Sequence, residues 1–502
     1  MPNKSTTMTN TISPSASHQS YNLEEWKKGY DSQPNEYDYE ITEIEGEIPQ
    51  ELSGTLFRNG PGLLDIGDTA IHHPFDGDGM ISAFTFQAGK AHYRNRFVET
   101  EAYLKEKAAG KILYRGVFGT QKPGGLFSNI FDLKLKNIAN TGVIYWGGKL
   151  LALWEAAEPH RLDPKTLETI GIDYLDGVLE PGDAFAAHPW VDPSCELDDG
   201  APCLVNFRVD PGLSSKITLF EFAPDGKLLR RHAHSIPGFS FIHDFITTPK
   251  YAIFFQNPVN FNPLPFLFGM RGAGECVQFQ PDKPTQVILI PRDPSDTEVK
   301  TFSVESGFVF HHANAFERDR EVCIDSITYQ SIPQVLPDSS YKEVDFDSLD
   351  PGQLWRFTLN LEDGSVRREM LESRCCEFPT HNPDKVGRDY RYLYIGAAAN
   401  ETGNAPLQAI LKLDLKTGER QLHSFAPGGF VSEPIFVPNP NSEKEDAGWV
   451  LTLIYDGKKH RSTLAILNGE HLAGEPVALL HLKHHVPYGL HGSWCDEVFI
   501  DR

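Results

Sequence analysis

Leu219-Phe-Glu-Phe-Ala-Pro-Asp-Gly-Lys-Leu-Leu229 decides the fold class: a strand-like run, a two-residue turn signal, and the opening of a second apolar run. Asp225-Gly226 supplies the positive φ angles that a tight hairpin needs. Ile410-Leu-Lys-Leu-Asp-Leu-Lys-Thr-Gly-Glu-Arg420 repeats the pattern around Thr417-Gly418. Ala88-Gly89, Asp363-Gly364, Asp456-Gly457 and Asn468-Gly469 lie between runs of the same kind. Helical periodicity is weak, and only residues 99–109 predict a short helix. From residue 21 onward no linker interrupts the chain, so one all-β domain is expected over 21–502. So many hairpins in a 502-residue chain predict a β-propeller. A large sandwich or a pair of all-β domains are the alternatives, and the repeat is too degenerate to count blades.

Composition removes several function classes. A formal net charge of −23 argues against nucleic acid, which needs a basic face, and against an electrostatic grip on anionic lipid. The seven cysteines are odd in number and scattered, with only Cys375 and Cys376 adjacent. That pattern fits reduced thiols in a cytosol better than a disulfide framework, so a cytoplasmic protein is expected. No apolar run approaches the roughly 20 residues of a spanning helix. Residues 1–20 are rich in Ser, Thr, Asn and Pro, lack the apolar core of a signal peptide, and read as a disordered tail.

Four aromatic-flanked segments carry histidine. They are Ala184-Phe-Ala-Ala-His-Pro-Trp190, Phe241-Ile-His-Asp-Phe245, Phe308-Val-Phe-His-His-Ala-Asn-Ala-Phe316 and Gly489-Leu-His-Gly-Ser-Trp494. A histidine among apolar neighbours is costly unless its nitrogens are satisfied. One alone is most often a satisfied core residue. Four in similarly built segments point to one metal held by His188, His243, His311 or His312, and His491, since imidazole suits Fe, Zn, Cu and Ni. A propeller makes this geometry possible, because inner strands of separate blades surround one axis. Ligating imidazoles also need partners for their second N–H. Glu155 in Leu151-Ala-Leu-Trp-Glu-Ala156, Glu377 in Cys375-Cys-Glu-Phe-Pro379 and Glu433 in Val431-Ser-Glu-Pro-Ile-Phe436 are candidates. The competing reading of each is a carboxylate at a strand end facing solvent.

Five segments in order carry a resemblance. They are Gly54-Thr-Leu-Phe-Arg-Asn-Gly-Pro-Gly62, His73-Pro-Phe-Asp-Gly-Asp-Gly-Met80, the segment around His243, Phe310-His-His-Ala-Asn-Ala315 and Leu490-His-Gly-Ser-Trp494. Over residues 21–494 the chain resembles the carotenoid cleavage oxygenases. The resemblance implies a seven-bladed β-propeller with a helical and loop cap over one face and one non-haem Fe(II) per chain on its axis. It implies His188, His243, His311 and His491 as ligands, with Glu155, Glu377 and Glu433 behind them. Strand alternation adds only that one of His311 and His312 can reach the axis. The implied reaction splits a conjugated double bond with O2, at the 15,15' position of an apocarotenoid, into two retinal-type aldehydes. Cleavage of a stilbene or full-length carotenoid, isomerohydrolase activity, and a non-catalytic carotenoid-binding propeller are the alternatives. A zinc hydrolase would instead show a carboxylate poised as base beside an open zinc position. No dinucleotide fingerprint is found in a strand-to-helix context, consistent with a reaction that consumes no reductant.

Phe75, Phe118, Trp154, Phe241 and Tyr329 lie beside the motifs and are expected to line a tunnel for an apolar polyene, though each alone would read as core. Phe261-Asn-Pro-Leu-Pro-Phe-Leu-Phe-Gly-Met270 has no charge and two prolines. It reads as a loop rather than a central strand. Pro263, Leu264, Phe266, Leu267 and Phe268 are expected to face a membrane, with Leu126-Phe-Ser-Asn-Ile-Phe131 beside them. The competing reading folds this loop against the propeller. The expected partners are therefore a polyene, O2 and a membrane surface, with no nucleic acid, for a monomer.

Overall fold

In the computed structural model, which describes residues 20–333 and 340–500, the hairpin read first from the sequence forms as expected. Ser214–Phe222 pairs antiparallel with Leu228–Pro237, and Gly226 sits in the turn at φ 84°. Ala88 and Gly89 both take positive φ, 50° and 71°, as a two-residue turn between Asp78–Gln87 and Lys90–Phe97 requires. Gly364 and Gly418 also take positive φ, 74° and 75°, whereas the remaining two turn signals behave differently. Gly457 does not take positive φ; Asp456 Oδ1 instead accepts from the backbone N–H of Lys458 and Lys459, and His460 takes φ 50°. Asn468 likewise caps the N–H of Glu470 and His471 and opens a longer loop to Ala478–His481. In both cases the side chain accepts the turn's N–H groups, which is the alternative role of Asp and Asn in turns.

The strands form seven sheets of four or more strands, together with two small ribbons. These sheets are the blades of a seven-bladed propeller. Blade one joins Gly54–Arg58, Asp78–Gln87, Lys90–Phe97 and Asp38–Glu40 to the C-terminal strand Gly492–Cys495. Blades two to six follow in chain order, opening with Gly142–Trp146, Trp190–Asp192, Ile246–Thr247, Phe308–Arg318 and Cys376–Thr380. Blade seven pairs Ile435–Pro438 and Gly429–Val431 with Gly448–Asp456, and takes Ile44–Gly46 as its outer strand. Strands from both ends of the chain thus complete the first and last blades.

The core lies between blades. Phe207 and Phe254 meet between blades three and four, Leu289 and Ile324 between four and five, and Leu354 and Leu393 between five and six. Ile410 packs with Val450 between blades six and seven. Leu56 and Leu464 close the ring between seven and one, while Ile81 with Leu150 and Leu153 with Phe220 join one to two and two to three. Each such buried side chain contributes about 1.5–3 kcal/mol.

Short helices and loops cap one face. The helix expected over 99–109 forms at Glu101–Ala109, capped by the Thr100 hydroxyl and ended by Gly110 at φ 61°. The loop reading of 263–268 is corrected: Pro263–Leu267 is one helical turn. Asn262 caps it, and a proline at the first helical position forfeits no hydrogen bond. The tail expected over residues 1–20 lies outside the described residues, apart from Ser20, whose hydroxyl donates to Gln408.

Candidate metal centre

Each blade contributes one residue to the axis. His491 precedes the inner strand of blade one, Glu155 follows Lys149–Leu153 of blade two, and His188 and His243 precede the inner strands of blades three and four. His311 lies in the inner strand of blade five and Glu377 in that of blade six, while Glu433 sits between the two short strands of blade seven. Residues up to 336 positions apart in sequence therefore meet because blade ends surround one axis.

The candidate ligand nitrogens of His188, His243, His311 and His491 all lie within 4.8 Å of one another. Nδ1 of His243 donates to Glu155 Oε1 (3.2 Å), that of His311 to Glu377 Oε2 (2.6 Å) and that of His491 to Glu433 Oε1 (2.8 Å). A carboxylate only accepts, so Nδ1 carries the proton and Nε2 a lone pair in each ring. Nε2 of His188 and His243 approach to 2.9 Å, and His311 Nε2 is buried without a hydrogen-bond partner. Converging lone pairs are what a cation would satisfy, so the residues fit a metal. Among the described residues His188 has no carboxylate partner.

The electrostatics favour the neutral form of His188 and His491. Burial, reinforced by the His491, His243 and His311 rings, holds His188 well below its ordinary pKa. Burial draws His491 down to about 4 against the pull of Glu433. For His311 burial also lowers the pKa, but Glu377 outweighs it and the net shift is upward. Burial pushes the three carboxyls up, yet the facing imidazoles bring all three below the ordinary range, with Arg58 helping at Glu433.

Further groups hold the carboxylates in place. Arg58, in the first quoted motif, donates to Glu433 Oε2 at 2.6 Å and to the carbonyl oxygen of Leu490. The Tyr329 hydroxyl donates to Glu377 Oε1 at 2.7 Å, so this expected tunnel residue also holds a carboxylate. Glu155 Oε2 has no such partner. Phe378, missed in the sequence, takes φ 58° within a bulge between Glu377 and Pro379. A β-bulge re-aims the side chains around it, and left-handed backbone at a non-glycine residue is strain that its surroundings must enforce. The Phe378 ring packs on His311 and His491, 5.4 and 5.5 Å between centroids. His312 turns away from the cluster, its Nδ1 meeting Ser326 Oγ at 2.7 Å. Strand register shifts flank the His311–His312 pair.

Beside the cluster is a cavity of about 360 Å³, and Phe75, Phe118, Trp154, Phe241 and Tyr329 all line it. His243, His311 and His491 form part of the same wall. Trp26, Tyr30, Phe310 and Tyr488 also line it; only their aromatic character could have suggested them.

The expected apolar surface is divided by the structure. Leu264 and Phe268 are exposed, 56% and 44%. Phe266 is half-buried, with the Arg115 guanidinium 4.3 Å from its ring centroid, and Leu267 is half-buried as well. These two members of the expected membrane-facing set are thus only partly exposed. The neighbouring segment presents more, with Phe127 97% and Phe131 67% exposed. Gly269, at φ 69°, lets the two segments touch, since a Cβ there would lie 2.6 Å from Asn129. Phe131 N–H donates to the Leu267 carbonyl.

A second cluster, Cys195, Cys203 and Glu221, already contains a cation. The Arg292 guanidinium lies 2.8 Å from Glu221 Oε2 and 3.4 Å from Cys203 Sγ.

Residues 30–496 match the sequence model of the family described as retinal pigment epithelial membrane protein, RPE65. The chain is 56% identical over 481 residues to the apocarotenoid-15,15'-oxygenase of Synechocystis sp., covering 96% of this chain and 98% of that protein. It is 29% identical over 492 residues to carotenoid 9,10(9',10')-cleavage dioxygenase 1 of Arabidopsis thaliana, covering 90% and 86%. The crystal structure of cobalt-substituted Synechocystis ACO superposes with a TM-score of 0.94 at 56% identity, covering 95% of this chain and 100% of that one.

Proposed function

We propose, from the premise that this chain belongs to the retinal pigment epithelial membrane protein (RPE65) family, that it cleaves the 15,15' double bond of an apocarotenoid with O2 at a four-histidine Fe(II) centre. It is an oxygenase of the carotenoid-cleaving kind. The observation that carries the reading is the opening of four convergent imidazoles onto an aromatic-lined cavity. The activity in the name of the relative at 56% identity supports the choice of substrate, and the cobalt substitution of the similar structure supports a bound metal.

His188, His243, His311 and His491 hold the iron, and Glu155, Glu377 and Glu433 fix the tautomer and tilt of three of those rings. Bound Fe(II) supplies the activation of O2. The chain's own work is positional. Phe75, Phe118, Trp154 and Phe241 confine the polyene and exclude water, and the imidazoles in the cavity wall place one bond against the centre. One alkene and one O2 become two aldehydes, which balances without a reductant. Leu264, Phe268, Phe127 and Phe131 rest on a membrane surface from which the water-insoluble substrate is drawn.

The test is incubation of iron-loaded protein with apocarotenals, full-length carotenoids and stilbenes, following O2 uptake and product mass. Two aldehydes together carrying both atoms of O2, from an apocarotenal cut at 15,15', are expected. Turnover of stilbenes alone, or binding without O2 uptake, would overturn the reading.

A further inference from the structure

His73 carries a donor that the cleavage chemistry does not use. Its Nδ1 accepts from the backbone N–H of Phe75 at 3.1 Å, capping the short helix Pro74–Asp76. Burial draws its pKa down to about 3, so the ring is neutral. A neutral imidazole whose Nδ1 accepts must carry its proton on Nε2. Among the described residues nothing accepts from Nε2, and the atom is not sealed from open space. His73 lines the cavity, with the Phe75 and Phe118 rings at 4.6 and 5.2 Å. A polar N–H is thus presented among the aromatic side chains that confine the substrate.

Two of the three tyrosine hydroxyls in this wall are already committed. Tyr329 donates to Glu377, and Tyr488 donates to the Trp26 carbonyl. A pure hydrocarbon would leave His73 Nε2–H unpaired in a dry cavity, which is costly. An oxygen on the polyene would satisfy it and would recover the hydration lost on entry.

The geometry points to His73 as a specificity-determining residue that donates Nε2–H to an oxygen at one end of the polyene, either an aldehyde carbonyl or a ring hydroxyl. This inference rests on the polyene reading of the cavity, but it concerns binding and can be measured apart from turnover. It predicts that the protein selects oxygenated ligands over hydrocarbons of equal length.

The experiment measures Kd by quenching of tryptophan fluorescence, and kcat/KM where turnover occurs, for three polyenes of one length. One ends in a hydrocarbon, one in an aldehyde, and one carries a ring hydroxyl. Wild-type protein should bind at least one oxygenated ligand roughly tenfold more tightly than the hydrocarbon, as expected for one buried donor. The ligand that gains identifies which oxygen is recognised. In His73→Phe the advantage should fall to about onefold. His73→Gln, which can accept from Phe75 N–H and still donate, should restore part of it. His73→Leu repeats the test should the Phe ring disturb folding. Equal wild-type Kd for all three ligands, or an advantage that survives in His73→Phe and His73→Leu, would overturn the assignment. Selective binding without O2 uptake would uphold it while refuting the proposed reaction.

Discussion

Arg58 and Glu433 form a buried ion pair of 2.6 Å, and the other oxygen of the same carboxylate takes Nδ1 of His491 at 2.8 Å. Glu155, by contrast, holds His243 through Oε1 while Oε2 has no hydrogen-bond partner. The carboxylates therefore differ in what they leave behind when removed.

Glu433→Gln should destabilise the metal-free protein by about 3–5 kcal/mol, because the buried Arg58 charge loses its counterion. Glu155→Gln strands no charge and should unfold close to wild type. Denaturant unfolding of chelator-treated protein compares them, and equal midpoints would refute the distinction. In loaded protein each Glu→Gln change, Glu377→Gln included, should weaken metal retention or activity roughly 10- to 100-fold.

Tyr329→Phe removes the hydroxyl that donates to Glu377 and keeps the ring in the cavity. A hydrogen bond to a charged acceptor contributes about 1.5–3 kcal/mol, so His311 should be held less firmly. Chelator competition should show faster metal loss than in wild type, with little change in binding of an apolar polyene. Unchanged metal release together with weakened polyene binding would make Tyr329 a wall residue only.

Purified protein should carry one iron per chain, and a strong Fe(II) chelator should abolish activity. His243→Ala, His311→Ala and His491→Ala should lose metal. His312→Ala should retain it, because that ring meets Ser326 instead of the cluster. Metal analysis decides, and equal loss in His311→Ala and His312→Ala would contradict the assignment.

Replacing Phe127, Phe131, Leu264 and Phe268 by Ser should lower vesicle partitioning, since each exposed apolar side chain gains about 1.5–3 kcal/mol on full burial. Turnover of membrane-embedded substrate should slow more than turnover in micelles, with little effect of salt. Phe266→Ser should act mainly on stability, because Phe266 lies under Arg115. Vesicle binding that is unchanged in the quadruple variant would leave this surface without a membrane role.

Hairpins and motifs were legible in the sequence because their determinants are local. Asp225-Gly226 and Ala88-Gly89 turn where they do because glycine reaches positive φ without a Cβ clash. Asp456-Gly457 and Asn468-Gly469 look the same in sequence, yet their side chains cap backbone N–H groups and the glycines are not needed at positive φ. The proline pair in 263–268 argued correctly against a central strand, but the helical turn depended on the Asn262 cap.

The sequence by itself determined the chemical inventory: an all-β chain, four apolar-flanked histidine segments and three carboxylates at the ends of apolar runs. Strand alternation also determined that only one of His311 and His312 reaches the axis. Tertiary structure alone decided which carboxylate meets which imidazole, that Arg58 and Tyr329 stand behind two of them, and that Phe378 is strained against the cluster. It also decided that Phe266 is half-buried beside Arg115 while Phe127 is exposed. The reason is geometric. Side-chain type and strand period are set within a few residues, whereas the pairings arise where seven separate blades converge on one axis, and no local pattern records the order in which their ends meet.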